Sequence, residues 1–144
     1  MTRRRMSAAL VVLVLLLVAA GCSSPSQTAT SESAEVAATR VKANAGDAGA
    51  QFDLGYAYNL GEGVPQDDAL AAAWTRTAAE QGFAAAQYNL GNMYSNGRGV
   101  PQDVAQAVTW YRQAAEQGHA GAQTSLGLMY ATGPQGSGLS IQRP

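Results

Sequence analysis

The chain has 144 residues, 47% of them hydrophobic, with a formal net charge of -1, one cysteine and one histidine. That length suits one domain, a single cysteine excludes an internal disulfide framework, and no metal-ligand cluster can be assembled from one Cys and one His. Beyond Cys22 there remain 6 basic and 10 acidic residues, so no basic stripe is available to neutralise phosphates and no nucleic-acid partner is expected.

Residues 1–21 read as an exported leader. Arg3, Arg4 and Arg5 form a basic head, Ala8 to Ala20 is an uninterrupted apolar run, and Ala19, Ala20 and Gly21 form a small-residue exit before Cys22. That order describes a secretory signal peptide, and the run is too short for a hydrocarbon core of roughly 30 Å. Val18 to Cys22 resembles a bacterial lipobox, with Ala19 where leucine or valine is preferred. The resemblance implies that the Cys22 thiol receives acyl chains such as palmitate and becomes the mature N-terminus. A free thiol on an ordinary secreted protein, or an uncleaved anchor, are the alternatives. Two or three chains give stable membrane anchoring. The expected location is the bacterial cell envelope, at the outer face of the cell membrane, or the outer membrane in a Gram-negative cell.

Residues 22–33 continue as a Ser/Thr/Pro-rich tether without apolar periodicity. Eleven such residues span roughly 18–20 Å on average, enough to lift a domain clear of the headgroups.

Residues 34–133 carry the domain, because one segment is written twice and begun a third time, 36 residues apart. Ala50, Leu54 and Tyr58 form an i, i+4, i+8 ladder that returns as Ala86, Leu90, Tyr94 and as Ala122, Leu126, Tyr130. That spacing is a helix face. Gly55, Gly91 and Gly127 lie beside the stripe. Interior glycine costs a helix about 1 kcal/mol relative to alanine, so the shared register suggests close approach by a neighbouring helix. Gly61 and Gly97 end the first helix of each pair, and Asp67 and Asp103 are placed to cap the second. Asp103 with Gln106 has capping-box spacing. The second helix carries Ala71, Trp74 and Ala78, then Ala107, Trp110 or Tyr111, and Ala114, and stops at Gly82 or Gly118. Ala34 to Ala45 reads as a worn second helix that caps the first pair. The expected fold is all-α: a short solenoid of antiparallel helix pairs, about two and a half repeats long.

The pattern A-x-x-x-L-G-x-x-Y, then G-x-G-V-x-x-D, then W-x-x-x-A-A-x-x-G resembles the Sel1-like repeat, a relative of the tetratricopeptide repeat, over roughly Ala43 to Gly133. The resemblance implies an adaptor for protein complexes. In such arrays one side of the first helix lines a groove, which makes Phe52, Tyr56, Asn59, Tyr88, Asn92 and Ser95 the candidate partner contacts. Packing between pairs, or a solvated face, is the alternative for each. Leu54, Gly55, Tyr58, Trp74, Gly82, Leu90, Gly91, Tyr94, Trp110, Gly118, Leu126, Gly127 and Tyr130 are assigned to the structural repeat.

No catalytic residue, metal, cofactor or small-molecule substrate is expected. His119 shares its register with Asp47 and Phe83 and reads as a loop residue. No nucleophile triad, phosphate loop or zinc-protease helix is present. The function expected is a membrane-anchored adaptor holding a protein or peptide in a shallow helical groove. The alternatives are a cell-envelope enzyme of the β-lactamase or peptidoglycan-processing type, attributed to cysteine-rich relatives, and a truncated repeat protein without function. Residues 134–144, which lack the Gly-Val-x-x-Asp signal, are expected to be a disordered tail.

Overall fold

The computed structural model describes residues 32–132. The leader, Cys22, nearly all of the tether and the tail lie outside them. Among the described residues there are six α-helices and no strand: α1 (Ala34–Asn44), α2 (Ala48–Leu60), α3 (Asp68–Glu80), α4 (Ala84–Asn96), α5 (Val104–Glu116) and α6 (Ala120–Thr132). Each helix packs on the next in sequence, from α1 on α2 to α5 on α6, which is the quasi-one-dimensional arrangement of a solenoid. The all-α expectation holds.

Local chemistry fixes the boundaries. Asp47, Asp67 and Asp103 accept from Ala50 N, Leu70 N and Gln106 N at 2.7, 2.9 and 3.0 Å, satisfying donors that a helix start leaves orphaned. His119 Nδ1 accepts from Ala122 N at 3.2 Å and so takes the aspartate's role at the start of α6. The expected capping box at Asp103 does not close, because the Asp103 N–H goes to Tyr94 O at 2.9 Å. Gly61 (φ +73) and Gly97 (φ +67) end α2 and α4 in the left-handed region, where a side chain would be strained. Gly82 and Gly118 follow α3 and α5, also at positive φ.

The core is built from small residues. Ala71, Ala78, Ala86, Ala107, Ala114 and Ala122 are fully buried, and Leu54 and Leu90 are the largest side chains with no exposure at all. Alanine contacts bring helix axes close, and the glycines tighten them further. A Cβ at Gly55 would lie 2.7 Å from Thr75 Oγ1 and 3.1 Å from Ala71 O. One at Gly91 would lie 2.7 Å from the Tyr111 ring. The glycine register therefore marks close approach in the first two copies. At Gly127 the expectation fails: nothing lies within 4 Å, because no described helix follows α6.

Other expectations need correction for related reasons. Trp74 and Trp110 do pack against the core but stay half-buried, and the more deeply buried position on the second helix is the next one, Thr75 and Tyr111, each 3% exposed. One residue is a 100° step, and that step carries the side chain into the space left by Gly55 or Gly91. The Leu54 stripe weakens along the array. Tyr58 is 8% exposed, Tyr94 is half-buried and Tyr130 is 42% exposed, with Leu126 half-buried. The last helix, α6, packs on α5 with no described helix beyond it and so cannot bury its whole stripe.

Polar links recur at the same period. Arg40 Nη2 donates to Tyr58 Oη at 2.7 Å, Arg76 to Tyr94 at 2.8 Å and Arg112 to Tyr130 at 3.3 Å. Gln51, Gln87 and Gln123 each donate to a carbonyl at the end of the preceding helix: Ala43, Ala79 and Ala115, at 3.1, 3.1 and 3.2 Å. These glutamines give each carbonyl a second donor, beside the N–H of Gly46, Gly82 or Gly118. Gln51 and Gln87 are 4% exposed, so their amides are part of the core.

Candidate protein-binding groove

The two first helices α2 and α4 flank a cavity of about 220 Å³. It is lined by Tyr56 and Asn59 from α2, by Asn89, Asn92, Met93 and Asn96 from α4, and by Thr75 and Arg98. Three of the six candidate contacts, Tyr56, Asn59 and Asn92, thus share one concavity. Tyr56 is 48% exposed and offers the open aromatic face of the site.

The other three are placed differently. Phe52 is half-buried, its ring 5.3 Å from that of Phe83 and 6.4 Å from that of Tyr56. Tyr88 is held between Tyr111, at 5.8 Å, and His119, stacked at 4.7 Å. Both rings therefore pack between successive helices. Ser95 is half-buried, and its carbonyl accepts from Gln102 Nε2 at 2.9 Å. Large rings at these positions find a neighbour because the following repeat begins one loop away.

Hydrogen bonds orient the asparagines. Tyr111 donates its hydroxyl to Asn92 Oδ1 at 2.7 Å, which leaves the Asn92 NH2 as a donor. Asn96 Nδ2 donates to Asn92 O at 2.9 Å, which leaves Asn96 Oδ1 as an acceptor. Burial pushes the Tyr111 hydroxyl above its ordinary value, against a smaller opposing effect of a hydrogen bond with Ser95. Arg98 closes the cavity's rim and is itself paired to Asp68 at 3.0 Å.

A second cavity, of about 460 Å³, lies one repeat earlier. Thr39, Asp53, Tyr56, Ala57 and Glu62 line it together with Ser33, Glu35, Val36 and Gly63. The two concavities are the same site at successive repeats. Thr39 corresponds to Thr75, Asp53 to Asn89, Tyr56 to Asn92, Ala57 to Met93 and Glu62 to Arg98. Tyr56 lines both. Sequence reasoning missed Asn89, Arg98 and the whole acidic cavity, although Asp53 and Asn89 stand at one repeat register. Among the described residues no three His, Cys, Asp or Glu side chains converge to hold a metal ion.

The Sel1 repeat model matches residues 48–83, 84–119 and 120–140. These stretches correspond to α2 with α3, α4 with α5, and the stretch that begins with α6. The chain is similar to c5321, a protective antigen present in uropathogenic Escherichia coli strains that displays an SLR fold. Identity is 48% and the TM-score 0.66, over 67% of this chain and 21% of that one. It is also similar to a Sel1 repeat protein from Oxalobacter formigenes, with 44% identity and a TM-score of 0.59, over 60% of this chain and 35% of that one. The chain thus spans only about a fifth and a third of the two solved chains. Comparison with curated proteins gives no match.

Proposed function

The chain belongs to the Sel1 repeat family, and from that premise we propose that it is an adaptor of the bacterial cell envelope, anchored through Cys22, that holds a protein segment in the groove between α2 and α4. Sel1 repeat proteins generally mediate protein–protein interaction. The observation that carries the groove reading is the convergence of Tyr56, Asn59 and Asn92 on one concavity. An exposed aromatic beside amides that keep hydrogen-bonding capacity to spare is the composition of a protein-binding surface, since aromatics supply contact area and amides supply hydrogen bonds. The reading assigns no chemistry to the protein itself.

The anchoring part rests on the leader and on the position of Cys22 at its exit. In this reading the acyl chains hold the N-terminus at the membrane and the tether lets the repeats reach a neighbour. The partner is then another envelope protein, met at close range.

A photo-crosslinking amino acid at position 56, compared with one at Thr109 on the exposed side of α5, tests the groove. Defined adducts from position 56 and none from 109 are expected. Equal labelling from both sites overturns the groove reading. Fractionation of the wild-type chain and Cys22→Ser, with the mass of the mature N-terminus, tests the anchor. A wild-type mature chain without added lipid mass sinks it.

A further inference from the structure

The two cavities occupy the same register and differ in chemistry, and that difference identifies what the groove accepts. In the earlier cavity, Glu35, Asp53 and Glu62 stand around Tyr56. Neither ion pair among the described residues involves them. The four arginines among the described residues are each bonded within the chain, to Tyr58 and Glu32, to Tyr94, to Asp68, and to Tyr130. The domain thus keeps its guanidinium groups for itself, the exposed Lys42 pairs with none of the three, and these carboxylates are left without an ion pair. They do not converge as metal ligands. A cation on a long, flexible stem matches them better than a compact ion, and the exposed Tyr56 ring adds an attractive face for it.

The later cavity replaces acids with amides. Asn92 presents its NH2 and Asn96 its carbonyl oxygen, each fixed from behind by a hydrogen bond. Four residues apart on α4, they are separated by about 6 Å along the axis. An extended chain carries both N–H and C=O groups along each side, one of each within every 6.6–6.8 Å or so. Neutral amides one helical turn apart that offer one donor and one acceptor suit main chain of any sequence, which carries both groups.

We propose that the groove receives an extended peptide segment of its partner, with a lysine or arginine side chain in the acidic cavity beside Tyr56 and main chain laid across Asn92 and Asn96. The inference rests on the groove reading above and adds the partner's charge and conformation. An acidic segment is rejected by three uncompensated carboxylates. Because these carboxylates are exposed, binding weakens as salt screens them.

The test is panning of a positional-scanning library of random decapeptides on the full chain in detergent, followed by titration of the selected peptides. Lysine or arginine should be enriched at one position, and glutamate depleted. The combined E35Q, D53N and E62Q variant, altered only at exposed positions, should lose that preference and about tenfold in affinity, as three exposed ion pairs worth a few-fold each would give. Methylation of the peptide's backbone nitrogens, and Asn96→Ala, should weaken basic and neutral peptides alike without changing the preference. Circular dichroism of each variant separates lost binding from lost fold. Peptides that depend on Tyr56 yet show no basic preference overturn this inference and leave the groove reading intact. Peptides indifferent to Tyr56→Ala overturn both. Spermidine binding as tightly as a lysine peptide, with methylated backbones tolerated, overturns the peptide assignment, and so does failure to select any peptide.

Discussion

The Tyr111 ring occupies the space that a side chain at Gly91 would need: a Cβ there would lie 2.7 Å from both Cδ1 and Cε1 of the ring. Tyr111 is 3% exposed and anchored through its hydroxyl to Asn92, so it has little freedom to retreat. The same register is filled by Thr75 against Gly55 one repeat earlier and left open at Gly127.

Gly91→Ala is therefore expected to destabilise the domain by about 1–3 kcal/mol through overpacking, and Gly91→Val by more. Gly127→Ala should stabilise it by roughly 0.5–1 kcal/mol, because alanine is the better helix former and meets no neighbour there. Thermal melting separates the two, at about 4–8 °C per kcal/mol for a domain of this size. A fall in melting temperature for Gly127→Ala would show that the last glycine also faces a packed surface.

Tyr56 and Tyr58 lie two residues apart on α2 and face opposite fates. Tyr58 is sealed and accepts from Arg40, so Tyr58→Ala should cost about 3–5 kcal/mol. Tyr56→Ala should stay within about 0.5 kcal/mol of wild type, as surface substitutions do. Tyr88→Ala belongs with the first kind, at about 1–3 kcal/mol, since it removes the ring between Tyr111 and His119. Urea midpoints with unchanged slopes would check all three.

The arginine–tyrosine links should behave as coupled pairs. Arg76 donates to Tyr94 at 2.8 Å with its guanidinium 5.8 Å from the ring centre. Arg76→Met and Tyr94→Phe should each cost about 1 kcal/mol. The double variant should cost less than the sum, because both remove the same bond. Strict additivity in a double-mutant cycle would mean that the bond contributes nothing measurable.

Alkaline pH should weaken the domain through Tyr111. Its ordinary value is 10.0, and burial raises it in the folded state. Below that value both states hold the proton and full stability is present. Above it the unfolded chain releases its proton first, and stability falls as pH rises through the folded value. Tyr111→Phe keeps the ring over Gly91 and lacks the proton, so its stability should decline less above about pH 10. Parallel loss in both proteins would place the alkaline transition elsewhere.

The helical pairs were legible in the sequence because their causes are local. Apolar spacing, aspartate caps and the Gly61 and Gly97 stops act within a few residues, and two full copies with a third begun made the period unmistakable. Two further periodic signals stood in the same rows. Arg40, Arg76 and Arg112, like Gln51, Gln87 and Gln123, recur at the repeat period. Their partners lie on other helices, so pattern alone gave them no meaning. A helical wheel on one helix could separate Tyr56 from Tyr58, since that contrast is a matter of angle along a single axis. It could not find that Phe83 and His119 cover Phe52 and Tyr88, nor choose Tyr111 over Trp110 as the sealed residue. Those outcomes depend on which neighbour arrives and how near it comes, and a glycine on an adjacent helix sets that distance. The chemistry of the groove has the same origin. Asp53 and Asn89 share a register in the sequence, but only stacking of the pairs sets carboxylates around one cavity and amides around the next.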